Sequence, residues 1–269
     1  MPGRIGKLIL ALTLALALLC PASVQAGKVL DRILKRQELR VGMDPTFPPM
    51  EAITKKGRLI GFDLDLANLI ASDLGVRLKL VQMPLKDLLP AMRQGRVDMV
   101  ISGLTITARR NRQAVFIGPY LMAGQTILIH HKMADRIRGP EDLNRPGITV
   151  VVPEHTTAEE VVRRLMPKAR LITTRGEIRA VKKLLQGQAQ ALVSDLTFNS
   201  LMAFRYRSRG IIHLDTPFTF EPLGIAIAQG DPDLANWLHN ELFLLRGSGT
   251  LDRLGEKWFH DPTWIEKLP

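Results

Sequence analysis

Cysteine is nearly absent: the 269 residues contain one, Cys20, inside the apolar run Leu8 to Cys20. A chain beginning after that run has no thiol, which excludes a disulfide framework, a thiolate zinc site and a cysteine nucleophile. Other catalytic signatures are missing as well. The six histidines (130, 131, 155, 213, 239 and 260) never fall into a His-Glu-x-x-His spacing. There is no Gly-x-Ser-x-Gly elbow and no Walker loop. Gly247-Ser248-Gly249 lacks the third glycine of a dinucleotide fingerprint, because Asp252 stands there. His130 and His131 sit side by side in an extended segment, where neighbours face opposite ways and make a poor metal pair. No cofactor and no metal is implied.

Aromatic residues are scarce too, at 5% of the chain with only two tyrosines. This bears on the charge, which is strongly basic at +11 and still +9 once Arg4 and Lys7 are removed. A nucleic-acid surface would combine basic tracts with stacking rings. Here the basic residues come as scattered pairs, such as Lys55-Lys56 and Arg163-Arg164, and a solvated surface accounts for them better. No nucleic-acid partner is expected.

What is present begins with the leader. Arg4 and Lys7 precede the apolar run, and Val24-Gln25-Ala26 offers small residues at −3 and −1, the three-part pattern of a secretory signal over 1–26. The run is too short to span a bilayer. A lipid anchor at Cys20 would need a small residue before it, and Leu18-Leu19 precede. The expected location is the periplasm, and the 243 residues after Ala26 suffice for two domains.

From Glu38 onward strand-like and helix-like segments alternate. Leu39–Met43 and Arg77–Met83 read as strands, Val97–Ile101 as a buried one. Asp63–Leu74 and Lys86–Gln94 read as helices closed by Gly75 and Gly95. The pattern restarts with strands at 147–152, 170–174 and 189–194 and helices at 157–166 and 178–186. Two apolar segments, 125–129 and 224–228, bound this second unit and read as crossovers. The expected fold is α/β with two lobes, each a mostly parallel sheet flanked by helices, joined by two crossing strands. Lobe 1 takes 27–123 and 222–269, and lobe 2 takes 124–221.

Ligands of open α/β sheets sit beyond the carboxyl ends of the strands, so the polar residues there are the candidates. Ser102-Gly103-Leu104-Thr105-Ile106-Thr107-Ala108-Arg109-Arg110 follows one strand, with hydroxyls, a permissive glycine and a guanidinium able to grip a carboxylate bidentately. It reads equally as a capped helix start with a solvated arginine. Thr156 and Thr157, each three residues before a glutamate, form two overlapping capping boxes, at a helix start that can also receive an anion. Asp195 ends a strand and suits either an ammonium or a helix cap. Asp44, with Phe47 among prolines 45, 48 and 49, could wall a pocket.

Val41 through Glu51, Gly61 through Ala67, Ser102 through Arg110, and Gly249 through Phe259 together resemble the periplasmic polar amino-acid-binding proteins of ABC importers. The resemblance covers essentially the whole mature chain. It implies the type II periplasmic binding fold, a monomer without catalysis, an amino-acid ligand in the cleft, and delivery to an importer's membrane permease. It also implies roles. Arg110, with main-chain groups of Thr105 and Thr157, would hold an α-carboxylate. Asp195, with a Ser102 or Gly103 carbonyl and the Thr105 hydroxyl, would hold the α-ammonium. Asp44, Phe47 and Leu85 would line the side-chain pocket, where the single acid suits a polar or cationic ligand. This chain departs from the family with His155 in place of a usual glycine, and with Leu85 where some members place an aromatic. Some relatives on this fold are dehydratases of cyclic carboxylates and others are sensing modules, so both stand as alternatives.

Overall fold

A computed structural model describes residues 28–269. The expected signal segment 1–26, with Cys20, lies outside the described residues. Helix α1 (Lys28–Arg36) leads into strand β1 (Glu38–Met43), where Leu39, Val41 and Met43 alternate into the core without exposure. A small antiparallel sheet of β2 (Thr46–Phe47), β3 (Glu51–Ile53) and β4 (Leu59–Ile60) follows. Helix α2 (Phe62–Asp73) buries Leu66, Ala67, Ile70 and Ala71, a stripe at helical spacing, and returns the chain to β5 (Arg77–Gln82) beside β1. Helix α3 (Leu85–Arg93) repeats the step for β6 (Met99–Val100), on the other side of β1. Both pairings are parallel. The short helix α4 (Ala108–Asn111) and the edge strand β7 (Val115–Ala123) complete this run.

At Gly124 the chain crosses to a second sheet. Strand β8 (Gln125–His130) joins β9 (Thr149–Pro153), β10 (Arg170–Thr174), β11 (Ala191–Asp195) and β12 (Ile211–Leu214), with helices α5 (Thr157–Leu165), α6 (Glu177–Leu185) and α7 (Leu196–Arg205) in the connections. Strand β13 (Glu221–Ile227) carries the chain back. Helices α8 (Pro232–Gly247) and α9 (Thr250–Gly255) then pack on the first sheet's elements.

The strand orders are β5-β1-β6-β13-β7 and β10-β9-β11-β8-β12. Each sheet is parallel over three strands and gains one antiparallel strand (β13 or β8) on one side, followed by an edge strand (β7 or β12) that pairs antiparallel with it. These are the α/β layers expected, mixed in direction because the strands that cross between sheets enter from the opposite end. The crossings run close together: a Cβ on Gly124 would lie 2.6 Å from the Thr219 carbonyl oxygen. Gln125 N–H donates to Thr219 Oγ1 at 2.8 Å, tying one crossing to the other. The parallel strands of both sheets end at the same cleft, so the loops after β1, β6, β9, β10 and β11 furnish its walls.

Candidate functional site

One cavity between the sheets is lined by Asp44, Phe47, Leu85, Ser102, Gly103, Thr105, Arg110, Thr157 and Asp195. All nine residues singled out in the sequence meet there. Thr46, Glu51, Gln125 and Glu177 line it too, and the sequence had not marked them as ligand groups.

The first wall is ordered by hydrogen bonds among its own residues. Asp44 follows β1; its N–H donates to Ser102 Oγ at 2.9 Å, and its Oδ2 accepts from Leu85 N–H at 2.8 Å. That carboxylate thus caps α3, whose preceding Pro84 has no side-chain cap to offer. Burial raises the Asp44 carboxyl above its ordinary value, with the Leu85 N–H and Arg175 pulling the other way. Ser102 Oγ donates onward to Glu51 Oε1 at 2.7 Å. Gly103 N–H (2.5 Å) and Tyr120 O–H (3.1 Å) both donate to Asp63 Oδ2. Glu51 and Asp63 are a buried pair: burial and then Asp63's charge hold Glu51 well above the carboxylate range, and burial takes Asp63 to about 6. Gly103 has φ +51°, and a Cβ there would come within 2.5 Å of the Phe47 ring, so only glycine fits.

Arg110 lies on α4, 8% exposed. Thr107 caps that helix by accepting from Arg110 N–H at 3.2 Å, and Arg110 Nη1 donates to the Thr105 carbonyl at 2.9 Å. No described carboxylate pairs with this guanidinium within 4.0 Å. Burial lowers it to about 10, with Glu160 opposing from the other wall and Arg109 adding to the fall.

The second wall carries three acids, Glu154, Glu177 and Asp195. Asp195 ends β11 at the N-cap position of α7, yet its side chain makes no capping bond. Its Oδ1 is buried without a partner among the described residues. Burial, then the charge of Glu221, raises this carboxyl to about 8. Glu177 opens α6; burial, then the charge of Asp44 across the cleft, raises it to about 8 as well. Its Oε2 accepts from Thr46 Oγ1 of the first wall at 3.3 Å. Of the two capping boxes expected, half of one forms: Thr156 Oγ1 accepts from Glu159 N–H at 3.3 Å, but Glu159 Oε2 accepts from His155 N–H at 2.7 Å, one residue before the cap. Thr157 is thereby free of capping. It is buried, with Oγ1 3.5 Å from Thr105 Oγ1 and accepting from Gln125 Nε2 at 3.3 Å.

Contacts from wall to wall close the cavity: Thr46 with Glu177, Thr105 with Thr157, the Phe47 and Phe198 rings at 6.2 Å, and the exposed pair Arg109 with Glu160. Five acids line the cavity (Asp44, Glu51, Glu154, Glu177, Asp195) against one base, Arg110. Elsewhere, the His130 and His131 rings lie 4.4 Å apart, because β8 ends at His130 and the chain turns instead of continuing as a strand. Sequence alternation had separated them. Among the described residues no cluster of three His, Cys, Asp or Glu side chains is placed to hold a metal.

The profile of the bacterial extracellular solute-binding proteins, family 3, matches residues 39–261. A cyclohexadienyl dehydratase of Pseudomonas aeruginosa is 30% identical over 259 residues, 96% of each chain. A binding component of an ABC transporter from Wolinella succinogenes, complexed with lysine, is 40% identical with a TM-score of 0.84, over 86% of this chain and 100% of that one. An ancestral amino-acid-binding protein, a precursor of cyclohexadienyl dehydratase, is 41% identical with a TM-score of 0.79, over 86% and 99%.

Proposed function

The chain belongs to the bacterial extracellular solute-binding proteins, family 3, and from that premise we propose that it captures a cationic α-amino acid in the cleft and delivers it to an importer's permease. The observation that carries this is a pair of uncompensated groups in one closed cavity. Arg110 is a buried guanidinium without a carboxylate, and Asp195 is a buried carboxyl without a cation. An α-amino acid supplies what each lacks. Its carboxylate would take the free guanidinium face, which matches it bidentately. Its ammonium would sit against Asp195 Oδ1, near the Thr105 hydroxyl and the Ser102 and Gly103 carbonyls.

Charge argues for the side chain. Burial, and then the charge of Asp44 across the cleft, keep the proton on Glu177 to about 8. A cation between Asp44 and Glu177 offsets that charge, and five lining acids against one base leave room for it. The lysine complex of the Wolinella succinogenes relative is consistent with this choice. Phe47 and Leu85 would flank the aliphatic stem.

In this reading the protein is an exported, periplasmic monomer, with 1–26 removed and no lipid at Cys20. The lobes that close on the ligand are 27–123 with 222–269, and 124–221. Ligand favours the closed form by contacts available only there, and the closed form is what a permease engages. A thermal-shift screen against the twenty standard amino acids tests it, because a ligand of the native state alone raises its melting temperature. Lysine, arginine or another cationic amino acid is expected to give the largest shift. Equal shifts with every amino acid would remove the specific clamp.

One observation favours a second reading. Loss of water from a ring needs a proton donor at the departing hydroxyl, and Glu177 is a cleft carboxyl that carries a proton at neutral pH. The dehydratase of Pseudomonas aeruginosa spans 96% of this chain. Incubation with hydroxylated cyclohexadienyl carboxylates, followed by the rise of aromatic absorbance, decides it: turnover that Glu177→Gln abolishes favours an enzyme, and its absence favours a binding protein.

A further inference from the structure

The cleft continues past its Asp44 and Leu85 side. A second cavity of about 220 Å³ adjoins it there and shares Asp44, Leu85, Glu154 and Gly176 with it. Lys86, Asp87, His155 and Arg175 supply most of the remaining rim. Among the described residues, Lys86, Asp87, Glu154 and Arg175 form no ion pair within 4.0 Å, although charges of both signs stand around one opening. His155 adds a second observation. Its φ of +63° is one that glycine adopts freely, and Gln37 is the only other described non-glycine residue with a positive φ. Non-glycine residues in this region concentrate at ligand sites, where the side chain has a use that offsets the strain. His155 also borders a further opening of the cleft mouth, with Arg109 and Arg163.

We infer that this outer cavity is a subsite for the far end of a long ligand, an amino acid whose side chain ends in a second ammonium and carboxylate. The inference rests on the amino-acid reading of the inner cleft. Lys86, Arg175 and the His155 ring offer cations or donors to a distal carboxylate, while Asp87 and Glu154 offer acceptors to a distal ammonium. That repeats the logic of Arg110 and Asp195 at the inner end. A ligand ending in an ammonium alone, such as lysine, leaves the exposed Lys86 and Arg175 to solvent. One ending in both groups engages the whole rim.

Diaminopimelate tests this cleanly, since 2,6-diaminopimelate is lysine with a carboxylate added at its far carbon. Calorimetry on the mature chain should compare L-lysine with the LL and meso forms, alongside the standard amino acids. One diaminopimelate isomer is expected to bind at least about tenfold more tightly than lysine, a typical gain for a charge-assisted contact. Arg175→Ala should erase that preference while leaving lysine affinity within about threefold, as befits an exposed distal charge. His155→Gly should weaken diaminopimelate selectively and raise the melting temperature, whereas a merely structural histidine would change stability without selectivity. Lysine or another standard amino acid binding while diaminopimelate binds no better than lysine overturns the subsite alone. So does a preference that survives both Arg175→Ala and Lys86→Ala. Failure of every amino acid, diaminopimelate included, overturns the inner-cleft reading and the subsite with it.

Discussion

The two walls of the cleft come from sheets with matching strand order, yet they differ in how far their acids are tied to neighbouring groups. In the first wall, one oxygen of each acid is tied to a neighbour: Asp44 caps α3, Ser102 bridges Asp44 to Glu51, and Gly103 is anchored on Asp63, while Glu51 Oε2 and Asp63 Oδ1 stay buried without a partner among the described residues. Arg110 is locked on Thr105 and offers its remaining donors outward. The second wall holds its acids in reserve. Asp195 Oδ1 has no partner, Glu177 has one hydroxyl, and both keep protons to about 8. A pre-built receptor faces a wall whose charge is expressed only when a cation arrives. Closure by ligand then sets two processes together, docking on the first wall and proton loss from the second.

Removing the receptor should break this division most severely. Arg110→Ala is expected to lower amino-acid affinity by about 3–5 kcal/mol, the usual result of leaving one buried charge unpaired. Calorimetry measures it, and the ligand-free variant should melt close to the wild type, since the guanidinium has no carboxylate partner to lose. Asp195→Asn comes next, at about 2–3 kcal/mol, because an amide accepts from the ammonium without neutralising it. The same variant sharpens the comparison through protons. At pH 7 wild-type binding should release protons, as a ligand cation drives Asp195 below its value of about 8. Titrations in buffers of different ionisation enthalpy should show that release, and show it reduced in Asp195→Asn.

The residues of the first wall were the more legible in the sequence, and the reason is local. Asp44, Ser102, Gly103 and Arg110 follow strands marked by buried alternation, and their partners lie on neighbouring loops. Glu177 was passed over because an acid in the first turn of a helix is explained by the helix dipole alone. Its raised pKa comes from burial and then the charge of Asp44, and its hydroxyl partner Thr46 lies 131 residues away. The strands missed were the short β2, β3 and β4 of the small sheet, and β7 and β12, both at the edges of the large sheets. Strand β7 carries Gly118-Pro119, which reads as a break and is tolerated because an edge has no second neighbour to satisfy. His155 stood out as a departure from the family's glycine, and its left-handed backbone gives the physical reason that glycine suits the position.

Two smaller effects complete the contrast. Ser102→Ala should cost about 1–2 kcal/mol of stability by leaving Glu51 Oε1 and the Asp44 N–H without their shared hydroxyl. Glu177→Gln should change stability less than this at pH 6 and alter its pH dependence instead. Glu177 and Asp195 are raised in the folded state, so the folded chain holds more protons than the unfolded one between about pH 4 and pH 8. Their contribution is therefore full below the ordinary carboxylate value and is lost as pH rises through about 8. Urea melts of the ligand-free protein at pH 6 and pH 8.5 should show that fall in the wild type and a shallower one in Glu177→Gln.

The central claim is that one zwitterion bridges Arg110 and Asp195. Its most direct test takes the amino acid giving the largest thermal shift and removes one head group at a time, as cadaverine and 6-aminohexanoate do for lysine. Loss of either group should weaken binding at least about a hundredfold, the result of leaving one buried charge uncompensated. An analogue without its α-carboxylate or without its α-ammonium that bound as tightly as the parent would contradict the account.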